Sequence, residues 1–353
     1  KNSVELDNLI KLTLTRSLIM LVVISLILIA LISTVPILYT YKIYLNWVLL
    51  LSLAAFFTII YNLYNEWCVK KAEFKKLSVN KVYNSIFTSL FKSINKLFSF
   101  ISNGIIFGEL IGKFIISIIS VKSMLINGTD IFRGYSIETL KKTRVKFQDY
   151  PKYMMFDLLI NTIGGSVHVY IILAFFDANE LGYLSLSLSL LTLPVTVISG
   201  GIKDVFRQKA NKLYINEGSC RNLYVQLLRP IAITGFVGFS LLYFITPFIF
   251  PYVLGDKWLK SGLYAQYLIP LFYFNFVSMS LGGIFVIANK IKISLYWQVF
   301  NTTITVSALL IGSALYNSIS MTIILFSIAK SISYLIYMII SYIYSTNRNH
   351  ENI

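Results

Sequence analysis

The chain has 353 residues, 56% of them hydrophobic and only 13% charged, with a mean hydropathy of +0.72. Soluble domains carry about 25% charged residues, so the composition excludes a soluble globular protein and indicates a polytopic membrane protein. The formal net charge of +16 invites a nucleic-acid reading, which fails once the basic residues are seen to lie between apolar runs, where they orient a membrane protein instead.

A membrane-spanning helix needs about 20 predominantly apolar residues. In chain order the candidates are Leu18–Pro36, Trp47–Tyr64, Val82–Ile101, Ile105–Ser120, Tyr153–Phe175, Gly182–Ile202, Pro230–Phe250, Gln266–Ala288, Leu295–Leu315 and Met321–Tyr344. The expected fold is therefore an all-α polytopic membrane protein of about ten spans. Between the third and fourth spans only Ser102-Asn103-Gly104 is left for a tight turn, so these two form a helical hairpin. No extramembrane segment is long enough for a soluble domain. The charged loops around 122–152 and 203–229 are expected to hold short interfacial helices.

Charge in the loops tests this map. With the N-terminus in the cytoplasm and sides alternating, 24 basic residues fall in cytoplasmic segments and three outside, at Lys42, Lys257 and Lys260. That asymmetry follows the positive-inside rule and places the C-terminus in the cytoplasm. The basic loops lie against the anionic leaflet and need no nucleic acid as partner. Cys68 and Cys220 both fall in basic loops read as cytoplasmic, which predicts reduced, unpaired thiols. With His168 and His350 the only histidines, no metal site is expected.

Four lysines remain, all inside spans: Lys92, Lys96, Lys113 and Lys330. An intramembrane charge costs roughly 2.5–3.5 kcal/mol on insertion scales and usually faces a cavity or a partner. A regular hairpin turning near residue 102.5 puts Lys96 level with Glu109. It also puts Lys92 level with Lys113, about 15 Å from the turn at 1.5 Å per residue. Glu109 can pair with Lys96 at matched depth, or with Lys113 at i,i+4. Either way the lysines exceed the carboxylate, and the excess suits an anion in a water-filled cavity. The alternative has Lys96 snorkelling to the outer interface and Lys113 neutralised by Glu109.

The later spans carry polar stripes at helical spacing. Asp157, Asn161, Gly165 and His168 share a face of the fifth span. Ser185, Ser189, Thr192, Thr196 and Ser199 share a face of the sixth, where Pro194 predicts a kink. Ser327, Lys330, Tyr334, Tyr337 and Ser341 mark the last. Serines and threonines serve equally as helix–helix contacts in membranes. Asp157, His168 and Glu109 are the candidates for ion coupling, although Asp157, five residues from Lys152, can also sit at headgroup level. No catalytic motif, P-loop or paired-acid signature occurs, and no enzyme activity or cofactor is expected. Gly200-Gly201 and Gly282-Gly283 read as packing or hinge glycines because no strand precedes them.

Several stretches in order resemble bacterial polysaccharide-biosynthesis proteins of the oligosaccharide flippase type, in the superfamily that also contains multidrug (MATE) exporters and lipid II flippases. They are "YPKY" at Tyr150–Tyr153, "ANELGYLSLSLSLLTLPVTVISGGIKDVFRQKA" at Ala178–Ala210 and "PFIFPYVLGDKWLKSGLYAQYLIPLF" at Pro247–Phe272, with a fainter match in "FKKLSVNKVYNSI" at Phe74–Ile86. The family commonly has a basic or amide residue where Ser189 stands. Its members typically have twelve or more spans in two six-helix bundles around a central cavity. The resemblance thus implies an incomplete N-terminal bundle at 1–149, lacking two helices, and a six-helix bundle at 150–353.

It further implies a flippase in the bacterial inner membrane, moving an undecaprenyl-diphosphate-linked repeat unit for O-antigen, capsule or a similar polysaccharide. On that reading Lys92, Lys96, Lys113 and Lys330 balance the diphosphate, while Asn161, Ser185, Ser189 and Thr192 meet sugar hydroxyls. A polysaccharide polymerase and its chain-length machinery would be partners. The alternatives are a cation-coupled multidrug exporter of the same superfamily, which would need acidic residues deep in the cavity, and a membrane glycosyltransferase or polymerase. The short outward loops and the missing acidic pair argue against the last.

Overall fold

Apolar runs of this length satisfy their backbone groups inside a bilayer only as helices or closed barrels, and helices are what form. The computed structural model describes residues 2–34, 45–98, 104–126, 145 and 149–346. Its long helices are α1 (Asn2–Thr34), α2 (Leu45–Lys71), α3 (Phe74–Phe98), α4 (Gly104–Ile126) and α5 (Asp149–Phe175), followed by α6 (Ala178–Glu217), α7 (Arg221–Leu254), α8 (Leu259–Ser280), α9 (Ile291–Leu310) and α10 (Ile319–Tyr344). Among the described residues eight helical segments are long and apolar enough to cross a membrane. The hairpin helices α3 and α4, which carry Lys92, Lys96 and Lys113, are the two expected spans that do not meet that measure. No strand occurs among the described residues; the single bridge joins Ser219 to Thr346.

The chain folds as two compact units, Lys1–Phe147 and Gln148–Ile353. In the first, α3 lies along α4, α4 along α2, and α2 along α1. One end is closed by a core of Ile10, Tyr64, Trp67, Cys68, Val69, Leu77 and Met124. Hydrogen bonds hold the apolar helices in register. Asn80 Nδ2 donates to Asn65 Oδ1 at 2.9 Å, Ser120 Oγ to Asn80 Oδ1 at 3.3 Å, and Ser117 Oγ to the Phe57 carbonyl at 2.8 Å.

In the second unit α8 is the central helix: 61% of the most apolar stretch of the span that contains it is buried, against 33% or less in every other candidate span. It packs against α6, α7 and α10, while α9 joins α5 to α10. Small residues permit this crowding. A Cβ on Gly262 would stand 2.7 Å from the Thr246 carbonyl oxygen of α7. Ser187 Oγ of α6 donates to the Ser261 carbonyl of α8 at 2.7 Å, and Ser199 Oγ to that of Phe276 at 3.3 Å.

Two loop expectations change. The segment 203–229 forms no separate interfacial helices, because α6 continues to Glu217 and α7 starts at Arg221. At 1.5 Å per residue the 40 residues of α6 extend about 60 Å, and Pro194 lies inside the helix without ending it. What ends it is Gly218, at φ 70°, whose N–H donates to the Tyr214 carbonyl. Cys68 lies within α2 rather than in a loop, and both cysteines are buried and unpaired. Gly282-Gly283 interrupts the eighth predicted span, with Gly283 at φ 105°, whereas Gly200 and Gly201 run through α6 with nothing within 4 Å of where a Cβ would stand. Residues 127–144 of the other predicted charged loop lie outside the described residues.

Candidate functional site

The register of the α3–α4 hairpin decides which charges meet. Gly108 and Gly112, four apart on α4, present bare backbone to α3. A Cβ on Gly108 would stand 2.5 Å from the Lys92 backbone nitrogen, and one on Gly112 2.7 Å from Thr88 Cα. This small-xxx-small pattern draws the two backbones together and sets Lys92 opposite Gly108. Symmetry about residue 102.5 had set it opposite Lys113, which lies five residues farther along α4, about 7.5 Å. Glu109 thereby gains a partner that the symmetric register did not offer, and keeps the expected i,i+4 neighbour Lys113. Glu109 Oε2 accepts from Lys92, and Glu109 Oε1 lies 3.9 Å from Lys113 Nζ. The side chain of Lys96 lies outside the described residues.

One carboxylate thus bridges two ammonium groups on the hairpin, leaving a net positive charge. Glu109 and Lys92 are 37% and 38% exposed within the unit, Lys113 only 13%. Lys113 also sits over the Tyr61 ring of α2, 4.8 Å from its centroid, a contact that favours a desolvated cation. Asn84, about two turns before Lys92 on α3, has a buried side-chain oxygen with no hydrogen-bond partner among the described residues.

The second unit gathers a separate polar group between α5, α9 and α10. Lys330 Nζ of α10 donates to Asn301 Oδ1 of α9 at 3.4 Å. Asn301, Gln298 and Thr305 are almost fully buried on α9. The His168 ring of α5 lies tilted against that of Phe326 of α10, centroids 6.3 Å apart. Asp157 Oδ1 accepts from Ser294 Oγ at 3.4 Å. Eleven residues separate Asp157 from His168, about 16 Å along α5, so the two do not converge on one ion. On the same side as Asp157, Trp297 Nε1 donates to the Ser333 carbonyl at 3.0 Å, and its ring meets that of Tyr337 at 4.8 Å. Ser327 Oγ and Ser333 Oγ are buried without hydrogen-bond partners among the described residues.

The structure therefore brings Lys92, Glu109 and Lys113 together in one unit; in the other it sets Lys330 against Asn301, and His168 against Phe326, one turn before Lys330 on α10. The sugar-contact candidates lie on α5 and α6. Asn161 is exposed on α5. On α6, Leu184, Ser187, Leu191, Val195 and Ser199 form the buried face, while Ser189 and Thr192 are exposed and Ser185 is half-buried. Ser189 and Thr192 satisfy their hydroxyls on the backbone of their own helix, at the Ser185 and Leu188 carbonyls. The residues that sequence reasoning passed over are the α9 amides and the two α4 glycines. Both left a signal: Gln298, Asn301 and Thr305 step by three and four along one face of α9, and "GELIG" spaces its glycines by four. Among the described residues no three His, Cys, Asp or Glu side chains are grouped to hold a metal ion.

Residues 4–263 match the sequence profile of a family described as "Polysaccharide biosynthesis protein". Among solved structures, the chain is similar to an outward-facing multidrug resistance MATE family transporter of the MOP superfamily. The TM-score is 0.74 at 14% identity, over 97% of this chain and 78% of the other. A point mutant of a MATE protein gives a TM-score of 0.70 at 13% identity, over 96% and 78%. No curated protein sequence matches the chain. At these identities the structural likeness speaks for the fold alone.

Proposed function

The chain belongs to the polysaccharide biosynthesis protein family, and on that premise we propose that it is a flippase that moves an undecaprenyl-diphosphate-linked oligosaccharide across the bacterial inner membrane. The observation that carries the reading is the pair Lys92 and Lys113, which share one carboxylate on an intramembrane hairpin. A surplus of positive charge in a bilayer is expensive, and a transported anion offsets it during the cycle. A diphosphate diester brings two negative charges and several acceptor oxygens, which suits two ammonium groups. Lys96, four residues beyond Lys92 in the sequence, adds a further cation to the hairpin, and Lys330 offers an anion contact in the second unit.

Neutral sugars need hydroxyl and amide partners rather than charges. In this reading Asn161, Ser185, Ser189 and Thr192 supply them, together with Asn301. Asp157 or His168 couples the cycle to an ion, since each can change charge. The C-terminus lies in the cytoplasm, and the product passes to a polymerase and its chain-length machinery for O-antigen, capsule or a similar polymer. A drug exporter of the same fold would need a free acidic group for a cationic cargo. Here Glu109 is held by two lysines and Asp157 by Ser294, which favours the anionic cargo. The test is complementation of a strain lacking its repeat-unit flippase. Wild-type protein should restore surface polysaccharide, and Lys92→Ala and Lys330→Ala should not. Full restoration by both variants would refute the cationic contacts.

A further inference from the structure

We infer that Glu109 is a built-in counter-anion, which occupies the diphosphate site of the empty transporter and is displaced when substrate binds. The inference rests on the flippase reading and concerns how the same site loads and unloads.

The geometry is that of a bridge. One oxygen of Glu109 takes the Lys92 ammonium and the other faces Lys113 at 3.9 Å, so a single anionic group spans two cations as a phosphate would. Its two arms differ in grip: Lys92 is in direct contact, whereas Lys113 is held at the limit of an ion pair and shares its charge with the Tyr61 ring. The bridge is also reachable, since more than a third of both Glu109 and Lys92 is exposed within the unit.

Charge balance favours exchange over addition. With Glu109 in place the two lysines carry one net positive charge. A diphosphate diester entering beside the carboxylate would have to share Lys92 and Lys113 with it, and the two anions would repel each other across the same ammonium groups. With the carboxylate swung aside, two ammonium groups meet two negative charges. Only side-chain torsions need to change, because Gly108 and Gly112 lock the backbones of α3 and α4 together. The device also solves release. Two lysines left bare would hold a diphosphate too firmly to let it go, and a tethered carboxylate competes for them at high effective concentration.

The test titrates a farnesyl diphosphate esterified at its terminal phosphate with N-acetylglucosamine, a diphosphate diester, with farnesol as the uncharged control, into the purified full chain in nanodiscs. Wild type should bind the diphosphate, and Lys92→Gln should weaken binding at least tenfold. Glu109→Gln, which keeps shape but not charge, should tighten it about tenfold, equivalent to about 1.4 kcal/mol, and slow dissociation. Glu109→Asp draws the charge back by one methylene and should tighten binding about threefold; it serves if the Gln variant fails to fold. Unchanged or weaker binding by the Glu109 variants, with Lys92→Gln still impaired, would overturn the counter-anion and leave the flippase reading standing. No binding by wild type beyond that of farnesol would overturn both.

Discussion

Replacing Gly108 with alanine tests the hairpin register from which the charge arrangement follows. Two effects oppose each other. Alanine in a helix interior is favoured over glycine by about 1 kcal/mol, so the substitution alone would stabilise. Against that, the new methyl would lie 2.5 Å from the Lys92 backbone nitrogen and 2.7 Å from its Cα. Neither neighbour is a flexible side chain that can step aside, so α3 and α4 must part, at about 1–3 kcal/mol for overpacking. A control removes the propensity effect. Gly238 lies exposed on α7 with no atom within 4 Å of where its Cβ would stand, so Gly238→Ala gains the helix preference without the clash. The difference between the two variants is then the clash alone, about 1–3 kcal/mol against Gly108→Ala. Unfolding followed in detergent against SDS fraction measures it. If Gly108→Ala proves as stable as Gly238→Ala, the backbones do not meet at this point, and the pairing of Glu109 with Lys92 loses its basis.

Three further predictions concern the second unit. Ser187→Ala removes a buried hydroxyl that bridges α6 to the Ser261 carbonyl at 2.7 Å; it should cost about 1 kcal/mol, typical of an interhelical hydrogen bond in a membrane, read in the same unfolding assay. Gly218→Ala places a side chain at φ 70° and should cost about 1 kcal/mol, with Gly218→Asn milder. Burial pushes the Cys220 thiol up to about 11. Because the pKa is raised, the thiol stays neutral through physiological pH, with about one thousandth as thiolate at pH 8. Maleimide labelling of Cys220 should be slow in native membranes, rise with pH, and become fast in SDS. Rapid native labelling would show that the loop between α6 and α7 is open.

The spans were legible because hydropathy and loop charge act locally: Trp47–Tyr64 and Tyr153–Phe175 read directly as α2 and α5. Where the helices stop was not. Residues 203–217 are charged enough to look like a loop, yet they continue α6, because Lys, Arg, Glu and Gln are good helix formers that need no bilayer. The hairpin register was hidden for a different reason. Mirror symmetry about a turn treats helices as smooth rods, whereas the actual offset is set where side chains vanish, at Gly108 and Gly112. Lys330 was visible as an isolated intramembrane charge, but its neighbour Asn301 comes from α9, and no spacing within one helix predicts a contact between two.

The central claim is that the cargo is an anionic lipid-linked oligosaccharide, and reconstitution into proteoliposomes tests it most directly. A labelled undecaprenyl-diphosphate-linked oligosaccharide is placed in the inner leaflet, and its arrival outside is followed by lectin capture. Wild-type protein should raise outward movement well above that of empty vesicles, with Lys92→Ala and Lys330→Ala reduced toward the empty-vesicle rate. Movement no faster than in empty vesicles, together with export of a lipophilic cation by the same preparation, would contradict the account.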